Sequence, residues 1–324
     1  MSNTLSVLAS EIDALISGSV SCNVPLAKIS RWRIGGSADI VVQPSSVEDL
    51  IKLRSWINAR NLPQVVIGAT SNLLFSDEGL RAICIQIGSN FSSVSVKGNL
   101  ISASSGLWVP SLARLAMTRG LSGISHICGI PGTLGGLVCM NGGSQRQGIG
   151  DVVVNVASID KQGQSHVRTA AECEFGYRKS IFQSNEEIIT EVTLELSPDA
   201  DRKKLRREML GIMSNRRRKF PQKLPNCGSV FVSNPSMYQN YGTPGALIES
   251  LGFKGMSIGG AQVSPQHANF IVNTGGGTSV DTLALITQVR NAIFLKTGYE
   301  IEVEARYVTP DGRLVPAVSD LSFT

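Results

Sequence analysis

The sequence predicts mixed helices and strands in about two domains, and three observations predict it. The chain has 324 residues, which at a typical ~150 per domain gives about two. Hydrophobic residues make up 42% and charged ones 17%. That is enough apolar material to bury real cores, and unlike a disordered, collagen-like or coiled-coil chain. Runs with helical spacing alternate with short β-rich runs, and 33 glycines mark many tight turns and close backbone approaches. The net charge of +5 is a mild surplus spread along the chain. It suits an anionic small molecule better than a nucleic acid.

Leu5, Leu8, Ile12, Leu15 and Ile16 recur at helical spacing and predict a short amphipathic helix. A strand over 38–43 stops at Pro44. Ser45, with Glu48 three residues on, reads as a capping box opening a helix to about Arg60. A strand over 64–68 then runs into Gly68-Ala69-Thr70-Ser71-Asn72. Further β-rich runs stand at 82–87, 92–96 and 100–104. Pro110 suits the first turn of a helix ending at Gly120. The densest loop follows, CGIPGTLGGLVCMNGG over 128–143, and then strands at 152–159 and 188–196. A Pro/Asp stretch at 197–201 leads into a charged helix over 202–219, so the domain boundary falls near residue 200. Short strands, helices around 243–251 and 278–297, and a closing strand over 301–308 fill the second half.

Cysteines at 22, 84, 128, 139, 173 and 227 form no CxxC, and histidines 126, 166 and 267 are scattered. No zinc spacing exists and no metal is expected. Residues 1–13 lack the basic and apolar regions of a signal peptide, and no apolar run approaches the ~18 residues of a membrane span. These features predict a reduced, cytoplasmic, soluble protein.

Neither G-x-G-x-x-G nor G-x-x-x-x-G-K-[ST] is present, which disfavours a nicotinamide-type Rossmann domain. The glycine-bearing loops 68–72 and 129–136 expose successive N–H groups and let phosphate oxygens approach without a Cβ clash. They read equally as two tight turns joining strands. Thr274-Gly275-Gly276-Gly277 before a helix reads as a helix entry or a phosphate site. The run Arg216-Arg217-Arg218-Lys219 reads as a solvated helix end facing a small anion, or as a nucleic-acid contact. Arg178 follows Phe175-Gly176-Tyr177, two aromatics placed to restrict its motion; the plain alternative is a surface ion pair. Ser229 starts an apolar run, with no G-x-S-x-G context. Strand alternation would put Glu300, Glu302 and Glu304 on one face.

In this order the segments resemble the UDP-N-acetylenolpyruvoylglucosamine reductase family. The resemblance runs from about Ala27 to Asp311. Its pieces are Arg33-Ile34-Gly35-Gly36; Gly68 with Ser71-Asn72-Leu73-Leu74; Gly129-Ile130-Pro131-Gly132-Thr133-Leu134-Gly135-Gly136; and Phe175-Gly176-Tyr177-Arg178 with Ser180-Ile181-Phe182. Then come Gly228-Ser229-Val230-Phe231 with Asn234-Pro235, Ile258-Gly259-Gly260-Ala261, His267-Ala268-Asn269-Phe270 and Glu304-Ala305-Arg306. Singly such motifs are common; eight in this order are specific. The 51 positions between Arg178 and Ser229 fit the subgroup without an inserted tyrosine-bearing loop. Two departures stand out. The first loop reads Gly-Ala-Thr-Ser-Asn where the family has a run of glycines, and one extra residue separates Phe231 from Asn234-Pro235.

The resemblance implies an α+β protein with an FAD-binding PCMH fold, also called the vanillyl-alcohol-oxidase type, in two subdomains, and a C-terminal α+β substrate domain. It places an N-terminal helix at 1–26, the FAD region at 27–199 and the substrate domain at 200–324. It implies FAD as cofactor, NADPH as reductant and UDP-N-acetylglucosamine enolpyruvate as substrate. The expected FAD contacts are Gly68, Ala69, Thr70, Ser71, Asn72 and Leu73, with Gly129, Ile130, Pro131, Gly132, Thr133, Gly135 and Gly136. Hydride would pass from flavin N5 to the enolpyruvyl carbon while Arg178 stabilises the enolate. Ser229 would donate the proton, and Glu304, in protonated form, would assist. Tyr177, Lys219, Asn234, Glu249 and His267 would bind the substrate. A monomer without nucleic-acid or membrane partners is expected. Two other readings stand beside this one: an FAD oxidase or a paralogue acting on another nucleotide sugar, which has no use for that acid set, and a non-catalytic RNA-binding module resting on 216–219.

Overall fold

The computed structural model describes residues 2–234 and 237–318. Two compact units divide the chain: the first takes 2–22, 40–69 and 83–216, and the second takes 23–39, 70–82 and the described residues from 217 on.

The first unit holds two hydrophobic cores. One gathers Ile12, Ile40, Leu53, Ile57 and Ile85, joining the expected first helix, Ser2–Leu15, to the helix Val47–Ala59. A four-stranded sheet contributes to it, in the order Ser19–Pro25, Ser37–Gln43, Leu80–Gln86, Gln64–Ile67, with the last pair parallel. The helix over 47–59 begins one residue later than the sequence predicted. Ser46, not Ser45, is the cap, and its hydroxyl accepts from Asp49 N at 3.0 Å. The Asp49 carboxylate reaches back to Ser45 N (2.9 Å) and Ser17 N (2.9 Å), so Asp49 takes the place expected for Glu48. Burial pushes the Asp49 proton affinity up, but these bonds outweigh it and hold the carboxyl below its usual range.

The other core collects Ile101, Leu112, Ile127, Leu134, Val156 and Val192. It lies against an antiparallel sheet ordered Val94–Lys97, Leu100–Ser104, Ile188–Glu195, Val153–Ile159, Ser165–Thr169. Helix Val109–Thr118 has Pro110 in its first turn, as expected. The Arg202–Lys219 helix turns Leu205, Met209 and Ile212 inward.

The second unit packs around Trp32, Val230, Phe231, Ile248, Leu285 and Ile293. Trp32 is fully buried and donates its indole N–H to the Ile271 carbonyl at 2.8 Å. One small sheet pairs Ser257–Ile258, Ala261–Val263 and Ile271–Asn273; another pairs Leu314–Pro316, Arg306–Val308 and, in parallel, Leu73–Phe75. The helix Ser279–Thr297 opens on a Thr278/Asp281 capping box and stops at Gly298 in the left-handed conformation, φ 69°. Its first amides are already taken, since the Asp77 carboxylate accepts from Ser279 N (2.8 Å) and Val280 N (3.3 Å). The glycine run is therefore a helix entry, with Asp77 where a phosphate would sit. The strand expected over 301–308 shrinks to Arg306–Val308. The Val230 carbonyl accepts from both Glu304 N (2.8 Å) and Ala305 N (3.3 Å), which kinks the segment. Glu300, Glu302 and Glu304 thus do not line one strand face: Glu300 pairs with Arg290, Glu302 is exposed and Glu304 is half-buried.

Among the described residues all six cysteines are free thiols. Among these described residues no helix is long and apolar enough to cross a membrane, and no group of three or more His, Cys, Asp or Glu side chains gathers as a metal ion would need.

Candidate active site

In the first unit Gly68, at the head of the first glycine loop, meets the second loop at Thr133. A Cβ on Gly68 would collide with the Thr133 hydroxyl. On Gly135 it would come within 2.8 Å of Ser105 Cβ, and on Gly129 within 2.8 Å of Arg216 Nε. The backbone of 105–109 runs beside the second loop: Leu134 N donates to Leu107 O (2.9 Å), Gly135 N to Ser105 O (2.7 Å) and Val109 N to Gly132 O (3.0 Å). Gly132 and Thr133 are buried, Ile130 and Pro131 half-buried, and Gly136 exposed at the start of helix Leu134–Cys139. Ala69 is half-buried beside Gly68. His126, just before this loop, is buried; burial holds its ring below the usual histidine range against the pull of Asp151 and the Gly123 backbone. Burial likewise lowers the Arg216 guanidinium, so this member of the basic run is not a solvated helix end.

Arg178 tips a tight turn in the same unit. Gly176 N donates to Lys179 O (3.0 Å) and Lys179 N to Gly176 O (3.2 Å), leaving Tyr177 and Arg178 at the apex with Arg178 at φ 56°. Two neighbours pin the turn: Asn141 Nδ2 donates to Gly176 O (2.8 Å), and Gln183 Nε2 donates to Arg178 O (2.9 Å). Only one of the two expected aromatics attends the arginine. The guanidinium lies 5.6 Å from the Tyr177 ring centroid, whereas Phe175 packs toward Gly150.

In the second unit, motifs far apart in sequence converge on Ser229. Gly228, at φ 90°, is held by Asn226 Oδ1 (3.0 Å) and turns the chain into half-buried Ser229. Asn269, 4% exposed, grips the next residues: its carbonyl accepts from Val230 N (2.9 Å), its Oδ1 from Phe231 N (2.9 Å), and its Nδ2 donates to Phe231 O (3.0 Å). On the other side Val230 O receives Glu304 N, and Glu304 O receives Asn72 Nδ2 at 3.0 Å from 232 positions away. Ser71 and Leu73 flank that asparagine, and Leu73 pairs with Arg306 in the parallel strand. Burial, with Glu304 adding to it, pushes the neighbouring Cys227 thiol well above its ordinary range. The departure at Thr70 has a physical account. Its φ is 54°, where glycine is favoured, and its buried hydroxyl accepts from Arg31 N (3.0 Å) and donates to Ile29 O (3.0 Å).

A second cluster of this unit surrounds His267. Its ring lies 5.3 Å from Phe220 and 5.1 Å from Phe270, and its Nδ1 accepts from Asn269 N at 3.2 Å. Burial, then Lys254 and Lys219, hold it below the usual range against Glu249. The neutral ring therefore keeps its proton on Nε2. Glu249 itself, on helix Pro244–Ser250, accepts an ion pair from Lys254 at 2.8 Å. Lys219 ends the basic helix and is exposed, with Gln266 Nε2 capping the Arg217 (3.1 Å) and Arg218 (2.9 Å) carbonyls beside it. Asn234 is half-buried, while Pro235 of its motif lies outside the described residues.

The glycine cradle fits a flavin dinucleotide. Three glycines let the backbone pack against Thr133, Arg216 and Ser105 where no Cβ would be tolerated, and the Ser105 hydroxyl, 1% exposed beside Gly135, has no hydrogen-bond partner among the described residues. Sequence reasoning missed Ser105, Asn269, Asn141 and Asp77 as organising residues. For Asn269 one signal existed, an amide set between Ala268 and Phe270 in an apolar run.

Residues 38–168 match the FAD binding domain model, and residues 220–308 match the UDP-N-acetylenolpyruvoylglucosamine reductase C-terminal domain. The chain is 44% identical over 294 residues to UDP-N-acetylenolpyruvoylglucosamine reductase 1 of Corynebacterium glutamicum, covering 91% of this chain and 88% of that one. It is 37% identical over 300 residues to the Moorella thermoacetica reductase, covering 93% and 97%. The crystal structure of the Thermus caldophilus reductase superposes with a TM-score of 0.75 at 28% identity, covering 90% of this chain and 99% of that one. The fold is therefore the expected FAD-binding PCMH type with a C-terminal reductase domain.

Proposed function

We propose that this chain, which belongs to the UDP-N-acetylenolpyruvoylglucosamine reductase family, uses NADPH and FAD to reduce UDP-N-acetylglucosamine enolpyruvate to UDP-N-acetylmuramate, a peptidoglycan precursor. Gly68–Leu73 and the 129–136 loop with Ser105 would hold FAD, which would supply hydride chemistry with NADPH as the reductant. Everything else is work for side chains. Arg178 pairs with the enolpyruvyl carboxylate and offsets the negative charge that grows there. The pinned turn fixes the Arg178 backbone before substrate arrives, which lowers the ordering cost of the transition state. Ser229 delivers the proton to the α-carbon, and Glu304 assists at the same carboxylate. Lys219 and Asn234 hold the diphosphate, with Tyr177, Glu249 and His267 completing the substrate contacts. The neutral His267 ring offers Nε2–H as a donor because Nδ1 is committed to Asn269. We assign 27–199 to cofactor binding and 200–324 to substrate binding, after an N-terminal helix in 1–26. We read the protein as a cytoplasmic monomer whose chemistry needs neither nucleic acid nor membrane.

One observation carries this reading: Asn72, the Ser229-Val230 segment and Glu304 are joined by hydrogen bonds although 232 positions separate the first from the last. Anaerobic visible spectroscopy tests it. The expected purified protein is yellow, is bleached by NADPH and is reoxidised by UDP-N-acetylglucosamine enolpyruvate. A flavin that bleaches but ignores the enolpyruvyl sugar would assign the chain to a paralogous reaction, and a colourless protein would overturn the reading.

A further inference from the structure

The Arg202–Lys219 helix commits few side chains to the core and many charges to solvent. Leu205, Met209 and Ile212 face inward. Arg202, Lys203, Lys204, Arg206 and Arg207 are all exposed within the first two turns, and no carboxylate lies within ion-pairing distance of any of them among the described residues. Of the two nearest acids in sequence, Asp201 accepts from the amides of Lys203 (2.8 Å) and Lys204 (3.3 Å), and exposed Glu208 forms no ion pair with these cations. Lys203, Arg206, Arg207 and Leu210 share one outward face by helical spacing. With Asp201 they line an open hollow of about 450 Å³. Leu210 is 51% exposed in the middle of these cations.

We infer that this face seats the protein on an anionic phospholipid bilayer, a role beyond the reductase reaction. Five like charges in six residues repel one another, so the partner that relieves them is itself densely anionic. A planar surface meets Lys203, Arg206 and Arg207 together with Leu210, because helical spacing puts these four on one face. Leu210 adds apolar contact at the headgroup level, as interfacial basic helices do. A nucleic acid fits less well, since the helix has no aromatic side chain on which a base could stack. An acidic protein fits less well too, because a lone leucine gives a stable interface almost no apolar centre. The absence of a membrane partner expected from the sequence is thereby revised for this face alone.

The test floats FAD-loaded, full-length protein with vesicles of phosphatidylglycerol and phosphatidylcholine in equal parts, and with pure phosphatidylcholine. Wild type is expected to rise only with the anionic vesicles and to be released as salt is raised. The combined change Lys203→Glu, Arg206→Glu and Arg207→Glu is expected to weaken binding well over roughly a hundredfold, since losing each cation costs about fivefold and the new carboxylates add repulsion. Flavin content and turnover should not change. The matching Gln triple, which removes the three charges without reversing them, guards against misfolding and should weaken binding roughly a hundredfold, at about fivefold per cation. The inference is overturned if wild type ignores anionic vesicles, if the triple variants float as well as wild type, or if a single-stranded RNA competitor strips wild type from the vesicles at equal charge.

Discussion

The glycine cradle of the first unit and the serine segment of the second organise polar groups by opposite means. The cradle is shaped by side chains that are missing. Gly68, Gly129 and Gly135 each sit where a methyl group would collide with a neighbour, and a buried hydroxyl, Ser105, has no hydrogen-bond partner among the described residues. The Ser229 segment is shaped by side chains that are present: Asn226, Asn269 and Asn72 fix nearly every backbone group around it. The difference teaches where each site is fragile. The first should fail on gaining an atom, and the second on losing a hydrogen bond.

The largest expected effect separates chemistry from both scaffolds. Ser229→Ala removes one exchangeable proton and no scaffold bond, so flavin content and bleaching by NADPH should match wild type. Turnover of the enolpyruvyl sugar should fall by roughly 10²–10⁴-fold, the usual worth of a positioned acid. Stopped-flow reoxidation of the reduced protein measures it directly. A variant that loses its flavin instead would break the comparison, because the two regions would then not be independent.

Next comes Asn269→Ala. It strands Phe231 N and Phe231 O inside a core where Asn269 itself is 4% exposed. Each stranded group costs about 1–3 kcal/mol, so the loss should be roughly 2–5 kcal/mol in urea unfolding. Proton transfer should suffer less, because the bond from Val230 N to the Asn269 backbone carbonyl survives the substitution and only the grip on Phe231 is lost. A stability loss below about 1 kcal/mol would show that the segment is held by packing and not by the amide.

The cradle makes the converse prediction. Gly135→Ala puts a methyl 2.8 Å from Ser105 Cβ, too close for either to stay. An overpacked site costs about 1–3 kcal/mol, which in FAD affinity is roughly a 10- to 100-fold rise in Kd. Ser105→Gly removes the opposing Cβ and should rescue part of that loss in the double variant, as measured by flavin fluorescence titration. Failure of the rescue would mean that the methyl strikes the cofactor rather than the serine.

These two regions also differ in how far the sequence revealed them. Glycine loops announce themselves locally, so 68–72 and 129–136 were visible as anion sites or turns from spacing alone. The long helices were visible for the same reason, because periodicity within 202–219 and 279–297 needs no distant partner. Ser229 was not visible from its own surroundings. Its importance depends on Glu304 and Asn72, 232 positions apart, and only the order of family motifs pointed to it. Two errors have the same origin. The cap is Ser46 rather than Ser45 because Asp49, which bonds Ser46 and Ser45 locally, is also engaged by Ser17 N from 32 positions away. The closing strand was overextended because alternation at 301–308 carries no trace of the Val230 carbonyl that kinks it.

The smallest effect is the sharpest test of the comparison, because Thr70 mixes the two strategies in one residue. It occupies a left-handed position, φ 54°, that its loop would ordinarily give to glycine. A β-branched residue there costs about 1–2 kcal/mol. Its hydroxyl offsets that by bonding Ile29 O and Arg31 N, each worth about 1 kcal/mol. Thr70→Gly should therefore be nearly neutral, within about 1 kcal/mol in urea unfolding, since strain and bonds vanish together. Thr70→Ala keeps the strain and loses both bonds, so it should cost about 2 kcal/mol. Glycine proving as harmful as alanine would mean that the position carries little strain. The threonine would then be a plain addition of hydrogen bonds, and the first loop would belong wholly with the serine segment in the way it is built.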